Sequence, residues 1–140
     1  MASSEFTTRQ KLNLLTIWAA LSSSCFIYPI FLDDGLPIRF NDQGIQFNFA
    51  LLMSFASWAI ATLIRWIVIP KLTSYLAILG FFIAGLAFTE ATIFYGIFLL
   101  NNDQPNEKAL IFWVAVVCMI QFFPLFLNRG KSPPSIKAFD

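Results

Sequence analysis

Glu90 is the only formally charged residue between Ser74 and Leu100, in the stretch SYLAILGFFIAGLAFTEATIFYGIFLL. A helical crossing of a bilayer needs about 20 mostly apolar residues, so this stretch is long enough to span. An ionised acid inside hydrocarbon is costly. A carboxyl group placed there either exchanges a proton or small cation, or stays neutral and hydrogen-bonded to a neighbouring helix. Thr89 flanks the acid, and Tyr95 follows one turn later. Ser54, Ser57 and Gln121 are the polar residues of other apolar runs that could complete its surroundings.

Other chemistry finds little support. The chain has no histidine, which removes the commonest general base and the commonest metal ligand. It has no glycine-rich phosphate loop and no paired-cysteine spacing. An enzyme, a metal site and a bound cofactor are therefore not expected. A net charge of +1 supplies no field for nucleic acid. Cys25 and Cys118 both lie in apolar runs and read as small buried hydrophobes. Asp33-Asp34 beside Gly35 reads as a solvated turn.

The elements that must hold Glu90 follow from composition. Hydrophobic residues make up 58% of the chain and charged residues 12%, against roughly 25% charged in soluble domains. The apolar residues come in four blocks, which predicts an all-α polytopic membrane protein with four transmembrane helices in an up-down bundle. Residues 1–11 form a polar arm, the spans cover about 12–32, 47–69, 74–100 and 109–127, and 128–140 form a flexible tail. The first apolar run resumes after Ser22-Ser23-Ser24 and is read as a retained helix rather than a cleaved signal. The short turn at Pro70-Lys71 makes spans two and three an antiparallel hairpin. No internal repeat is visible. Gly80, Ala84, Ala87 and Ala91 line one face of the third span and predict its packing seam.

With four spans, both termini and the 70–73 turn share a side. That side carries Arg9, Lys11, Lys71, Arg129, Lys131 and Lys137, whereas the other carries Arg39 and Lys108. The bias of positive charge predicts cytoplasmic termini, in a bacterial inner membrane.

Depth along the spans sorts the intramembrane polar groups. Arg65 lies six residues from Lys71, roughly 9 Å of helix, and Glu90 lies nineteen residues away, roughly 28 Å. That gap predicts that the two charges do not pair. Arg65, with Trp66 and Lys71, is expected to anchor its end of the span at the headgroups. Glu90 falls level with Ser22 to Ser24 on the first span, with Ser54 and Ser57 on the second, and with Met119, within a turn of Cys118 and Gln121, on the fourth.

Leu86-Ala87-Phe88-Thr89-Glu90-Ala91, followed by Tyr95-Gly96, resembles the ion-binding helix of rotary ATP synthase c subunits. The likeness is local, over residues 86–96. The preceding span, 47–69, has no glycine where that family's first helix is glycine-rich. The resemblance implies that Glu90 is a proton- or sodium-binding carboxylate, with Thr89 and Tyr95 nearby. The expected function is thus a non-enzymatic membrane protein, an oligomer or a small subunit among other membrane subunits, with a protonatable Glu90. The alternative is a structural or assembly subunit in which a neutral Glu90 only fastens helices.

Overall fold

The computed structural model describes residues 6–33, 35–124 and 127. The expected tail, 128–140, lies outside them, with Arg129, Lys131 and Lys137. The described residues are helical, with no strand among them: α1 (Thr8–Leu32), α2 (Phe49–Leu63), α3 (Tyr75–Leu99) and α4 (Pro105–Gln121). Extended to Lys71 through two tighter and looser turns, α2 joins α1 and α3 as helices long and apolar enough to cross a membrane.

Local chemistry sets each boundary. A capping box starts α1 within the supposed polar arm: Thr7 Oγ1 accepts from the Gln10 backbone N–H, and Gln10 Oε1 accepts from that of Thr7. Asn48 caps α2 by accepting from Leu51 N–H at 3.0 Å. Pro105 opens α4, where its missing N–H costs nothing. Helix α4 therefore begins four residues before the expected fourth span. It ends at Gln121, three residues ahead of Pro124, which disfavours helical geometry in the residue before it. Its 17 residues rise about 25 Å, and the first four of them are Pro-Asn-Glu-Lys. It falls short of the three long helices as a span.

The end of α2 loosens into a π-helical turn over Ile64–Val68 and then tightens into a 3₁₀ turn over Ile69–Lys71. Pro70 supplies the cause, because its ring crowds the carbonyl four residues earlier and it donates no hydrogen bond. Only three residues separate Lys71 from the start of α3, so α2 and α3 form the expected hairpin.

Helix α3 is central and packs against each of the others. Phe6 meets Tyr75 edge to face at 6.3 Å, which brings the start of α1 to the same end as the 71–74 turn. The faces of α3 divide between neighbours. Gly85, Thr89, Thr92 and Gly96 are buried, and a Cβ on Gly85 or Gly96 would meet Phe122 or Ile111 of the α4 segment. Gly80 is open and Ala87 exposed. The α3–α4 seam is thus Gly85-Thr89-Thr92-Gly96 rather than the expected Gly80-Ala84-Ala87-Ala91, which lies on another face.

Large apolar side chains cover the exterior as well as the core, and several polar ones are buried. Phe31, Phe47 and Leu76 are each more than 70% exposed. Ser54, Ser57, Arg65, Thr89 and Thr92 are all buried. Many hydroxyls return to their own backbone: Thr16 donates to the Leu12 carbonyl at 3.0 Å, Ser54 to Ala50 at 2.8 Å and Thr92 to Phe88 at 3.1 Å.

At the end opposite Lys71, three consecutive residues of α4 clasp the 33–46 connection. Asn106 accepts from Asn41 N–H at 2.7 Å and donates to the Asn41 and Gln43 carbonyls. Glu107 Oε1 accepts from Gln46 N–H at 2.5 Å. Lys108 Nζ donates to both Asp33 oxygens, at 2.8 and 2.9 Å, and to Asn102 at 2.9 Å. Asp33 is therefore an enclosed ion-pair partner, a correction to the solvated turn; Asp34 lies outside the described residues. All three side chains of the clasp are buried. Asn106→Ala leaves three backbone groups without a partner and is expected to lower unfolding free energy by about 1–3 kcal/mol in detergent, read from a denaturant titration.

Candidate functional site

Glu90 sits on the face of α3 turned towards α1. Its Oε1 is hydrogen-bonded to Ser24 Oγ, which lies eight residues from the end of α1 at Leu32 as Glu90 lies nine from the end of α3 at Leu99. The flanking contacts repeat this pairing of faces. Tyr28 packs on Phe94 at 4.9 Å one turn away, and Cys25 clusters with Ile93 and Ile97. Of the three serines at the expected depth, Ser24 is the one that meets the acid. Ser23 donates to the Ala20 carbonyl and Ser22 is buried.

The hydroxyl of Ser24 has one hydrogen and two acceptors within reach, because its Oγ also lies 2.6 Å from the Leu21 carbonyl oxygen. A carbonyl only accepts. When Ser24 donates to Leu21, the contact with Glu90 needs a hydrogen from the acid itself, which is then neutral. When Ser24 turns to donate to Glu90, the carboxylate can be ionised and Leu21 gives up its side-chain donor. Rotation of one hydroxyl therefore accommodates either protonation state.

The other expected site residues are placed elsewhere. Thr89, next to Glu90, points about 100° away round the helix and is fully buried against α4, its single hydroxyl lying 3.1 Å from both the Gly85 carbonyl oxygen and Cys118 Sγ. Gln121 lies one turn beyond Cys118. Its Nε2 donates to Thr62 Oγ1 at 3.2 Å and to Cys118 Sγ at 3.1 Å, and its Oε1 accepts from Trp66 Nε1 at 3.0 Å. Ser54 and Ser57 belong to the buried face of α2, where Ser54 bonds its own helix. Tyr95 is half-buried, about 140° round α3 from Glu90. The expected single polar layer is in fact two clusters. One joins α1 and α3 through Ser24–Glu90, and the other joins α2, α3 and α4 through Thr62, Gln121, Cys118 and Thr89.

Arg65 belongs to the second cluster. It is buried, its Nε donates to the Gln121 carbonyl at 2.7 Å, and its guanidinium lies 4.8 Å from the Trp66 ring. Arg65 and Trp66, adjacent in sequence within the π-helical turn, both reach Gln121. A cation there meets the carbonyl-rich end of α4, where the helix dipole favours positive charge. Trp66 and Lys71 are exposed at the same end of α2. As depth predicts, the two intramembrane charges do not meet: Arg65 bonds α4, and Glu90 bonds α1.

No protein-family model, curated protein or solved structure matches this chain.

Proposed function

We propose that the chain is a non-enzymatic multi-pass integral membrane protein in which Glu90 takes up and releases a proton. The observation that carries this reading is the Glu90–Ser24 contact, made between two apolar helices by a hydroxyl that can serve either protonation state. The many exposed apolar side chains, with Ser54, Thr89 and Thr92 turned inward, support the membrane setting, because lipid gives polar groups no partners of its own. A proton suits the site better than a metal cation. A hard cation takes about six oxygen ligands, whereas Thr89 is turned to Cys118 and Ser54 to its own helix, and Ser24 is the hydroxyl at Glu90 among the described residues.

In this reading α4 and the turns after it complete a fourth, short crossing, with its polar first turn roofed by the 33–46 connection. The termini face the cytoplasm of a bacterial inner membrane. The pairing of Lys108 with Asp33 sharpens the charge bias, leaving Arg39 as the unneutralised cation of the far side among the described residues. With little mass outside the helices, the chain works as a homo-oligomer or with other membrane subunits. The local likeness of residues 86–96 to the c-subunit helix supports a titrating carboxyl.

A second reading has one observation in its favour: Ser24–Glu90 links α1 to α3, as a neutral fastener would. The substitution Glu90→Gln separates the two, since the amide can still bond Ser24 but cannot exchange a proton. With a titrating site, Glu90→Gln keeps its stability within about 1 kcal/mol, abolishes pH-dependent carbodiimide labelling and loses proton flux in liposomes. Unchanged flux with stability and assembly retained would establish the fastener instead, since the amide keeps the bond to Ser24.

A further inference from the structure

An open cleft of about 490 Å³ lies at the end of the molecule that carries the 33–46 connection. That volume is within the range of small-ligand sites, about 300–1,000 Å³. It is bounded by Asp33 and the 35–39 segment on one side and by Asn102, Pro105 and Lys108 on the other. Its charges are unevenly matched. The three hydrogens of the Lys108 ammonium go to Asp33 and Asn102, so that pair is self-contained and neutral. Glu107, in the first turn of α4, accepts from Gln46 N–H.

Arg39 is left. It is exposed on the wall of the cleft, forms no ion pair among the described residues, and presents five N–H donors in a planar fork suited to phosphate oxygens. Pro105 on the opposite wall is the first residue of α4, so the positive end of that helix adds to the same field. Leu36 and Ile38, 38% and 46% exposed, line the cleft beside Arg39. A planar cation with apolar neighbours, at the end of helices long enough to cross a membrane, matches a phosphate joined to a hydrocarbon chain.

We propose that this cleft binds the phosphate group of a phospholipid, with Arg39 as the principal donor. Free phosphate offers the same oxygens, and the experiment separates the two sources. The site does not involve Glu90, so its failure and that of the proton reading are distinct.

The test uses the purified full chain in a neutral detergent, with thermal unfolding followed against added phosphatidylglycerol, diacylglycerol or inorganic phosphate. Phosphatidylglycerol is expected to raise the midpoint saturably, and diacylglycerol, which lacks the phosphate, is not. Arg39→Ala, at an exposed side chain, is expected to weaken the apparent affinity by about tenfold or more. Arg39→Lys retains part of it, since lysine keeps the charge and loses the fork. Lys71→Ala, at the opposite end, leaves it unchanged. A response to inorganic phosphate alone, lost in Arg39→Ala, supports the site with the free ion as its source. Binding of phosphatidylglycerol and phosphate by Arg39→Ala as by wild type, or an equal response to diacylglycerol, overturns the proposal.

Discussion

Lys108→Met is expected to lower the unfolding free energy by about 3–5 kcal/mol, the range for removing one member of a buried ion pair. The Lys108 and Asp33 side chains are only 8% and 12% exposed, so solvent screens them little. The substitution takes a donor from both carboxylate oxygens of Asp33 and from the side-chain oxygen of Asn102 at once. It also loosens the clasp that Asn106 and Glu107 form with the 41–46 segment. The check is a denaturant titration in detergent, followed by the fluorescence of Trp113, whose indole donates to the Ile38 carbonyl of the clasped segment at 3.3 Å. A loss below about 1 kcal/mol, the level of exposed pairs, would show that the pair is solvated in the working protein. Adding Asp33→Asn should recover part of the loss, because an amide tolerates burial without a counter-charge better than a carboxylate does. The two substitutions share one interaction, so their effects should not add.

Gly85→Leu has the second largest expected effect, a loss of about 1–3 kcal/mol or more from overpacking. A Cβ at Gly85 would run into the ring of Phe122, which is itself fully buried and packed edge to face on Phe82 at 6.0 Å. The ring has nowhere to go without displacing Phe82 or parting α4 from α3. Helix propensity acts the other way, since leucine is better than glycine in a helix interior by nearly 1 kcal/mol. The loss should therefore be specific to this seam. Gly80→Leu, where a Cβ meets nothing within 4 Å, should be neutral or mildly stabilising. Pairing Gly85→Leu with Phe122→Ala should restore stability relative to either substitution alone, as measured by the same titration. Equal losses at Gly80 and Gly85 would mean that α3 does not pack on α4 through this face.

Local chemistry made much of the fold readable in advance. The three long helices follow from unbroken apolar runs, and the α2–α3 hairpin follows from a turn too short for any other connection. The separation of Arg65 from Glu90 followed from counting rise along a helix, which needs no knowledge of packing. The serines of α1 were placed level with Glu90 by the same count. The α1 capping box was legible as Thr7 and Gln10 three residues apart, yet it was masked by the polar look of the arm. The start of α4 was misplaced because Asn-Glu-Lys reads as a turn when it precedes an apolar run. After Pro105 it is a first helical turn whose polar groups have partners.

What the sequence by itself determined is thus the kind of protein this is: apolar helices in an order set by short turns, with one carboxyl group midway along the third. Those features depend on residue type and spacing along one helix, which are local. The tertiary structure alone decided which groups meet. Rise along a helix is known from the count, but rotation about its axis relative to a neighbour is not. Thr89 and Glu90 are adjacent in sequence, and about 100° of rotation sends one to Cys118 on α4 and the other to Ser24 on α1. The same rotation puts Gln121 with Thr62 and Trp66 rather than with Glu90, and the packing seam on Gly85 rather than Gly80. Ser24 became the partner of Glu90 because α1 lies on that face of α3, a consequence of how four helices share one core.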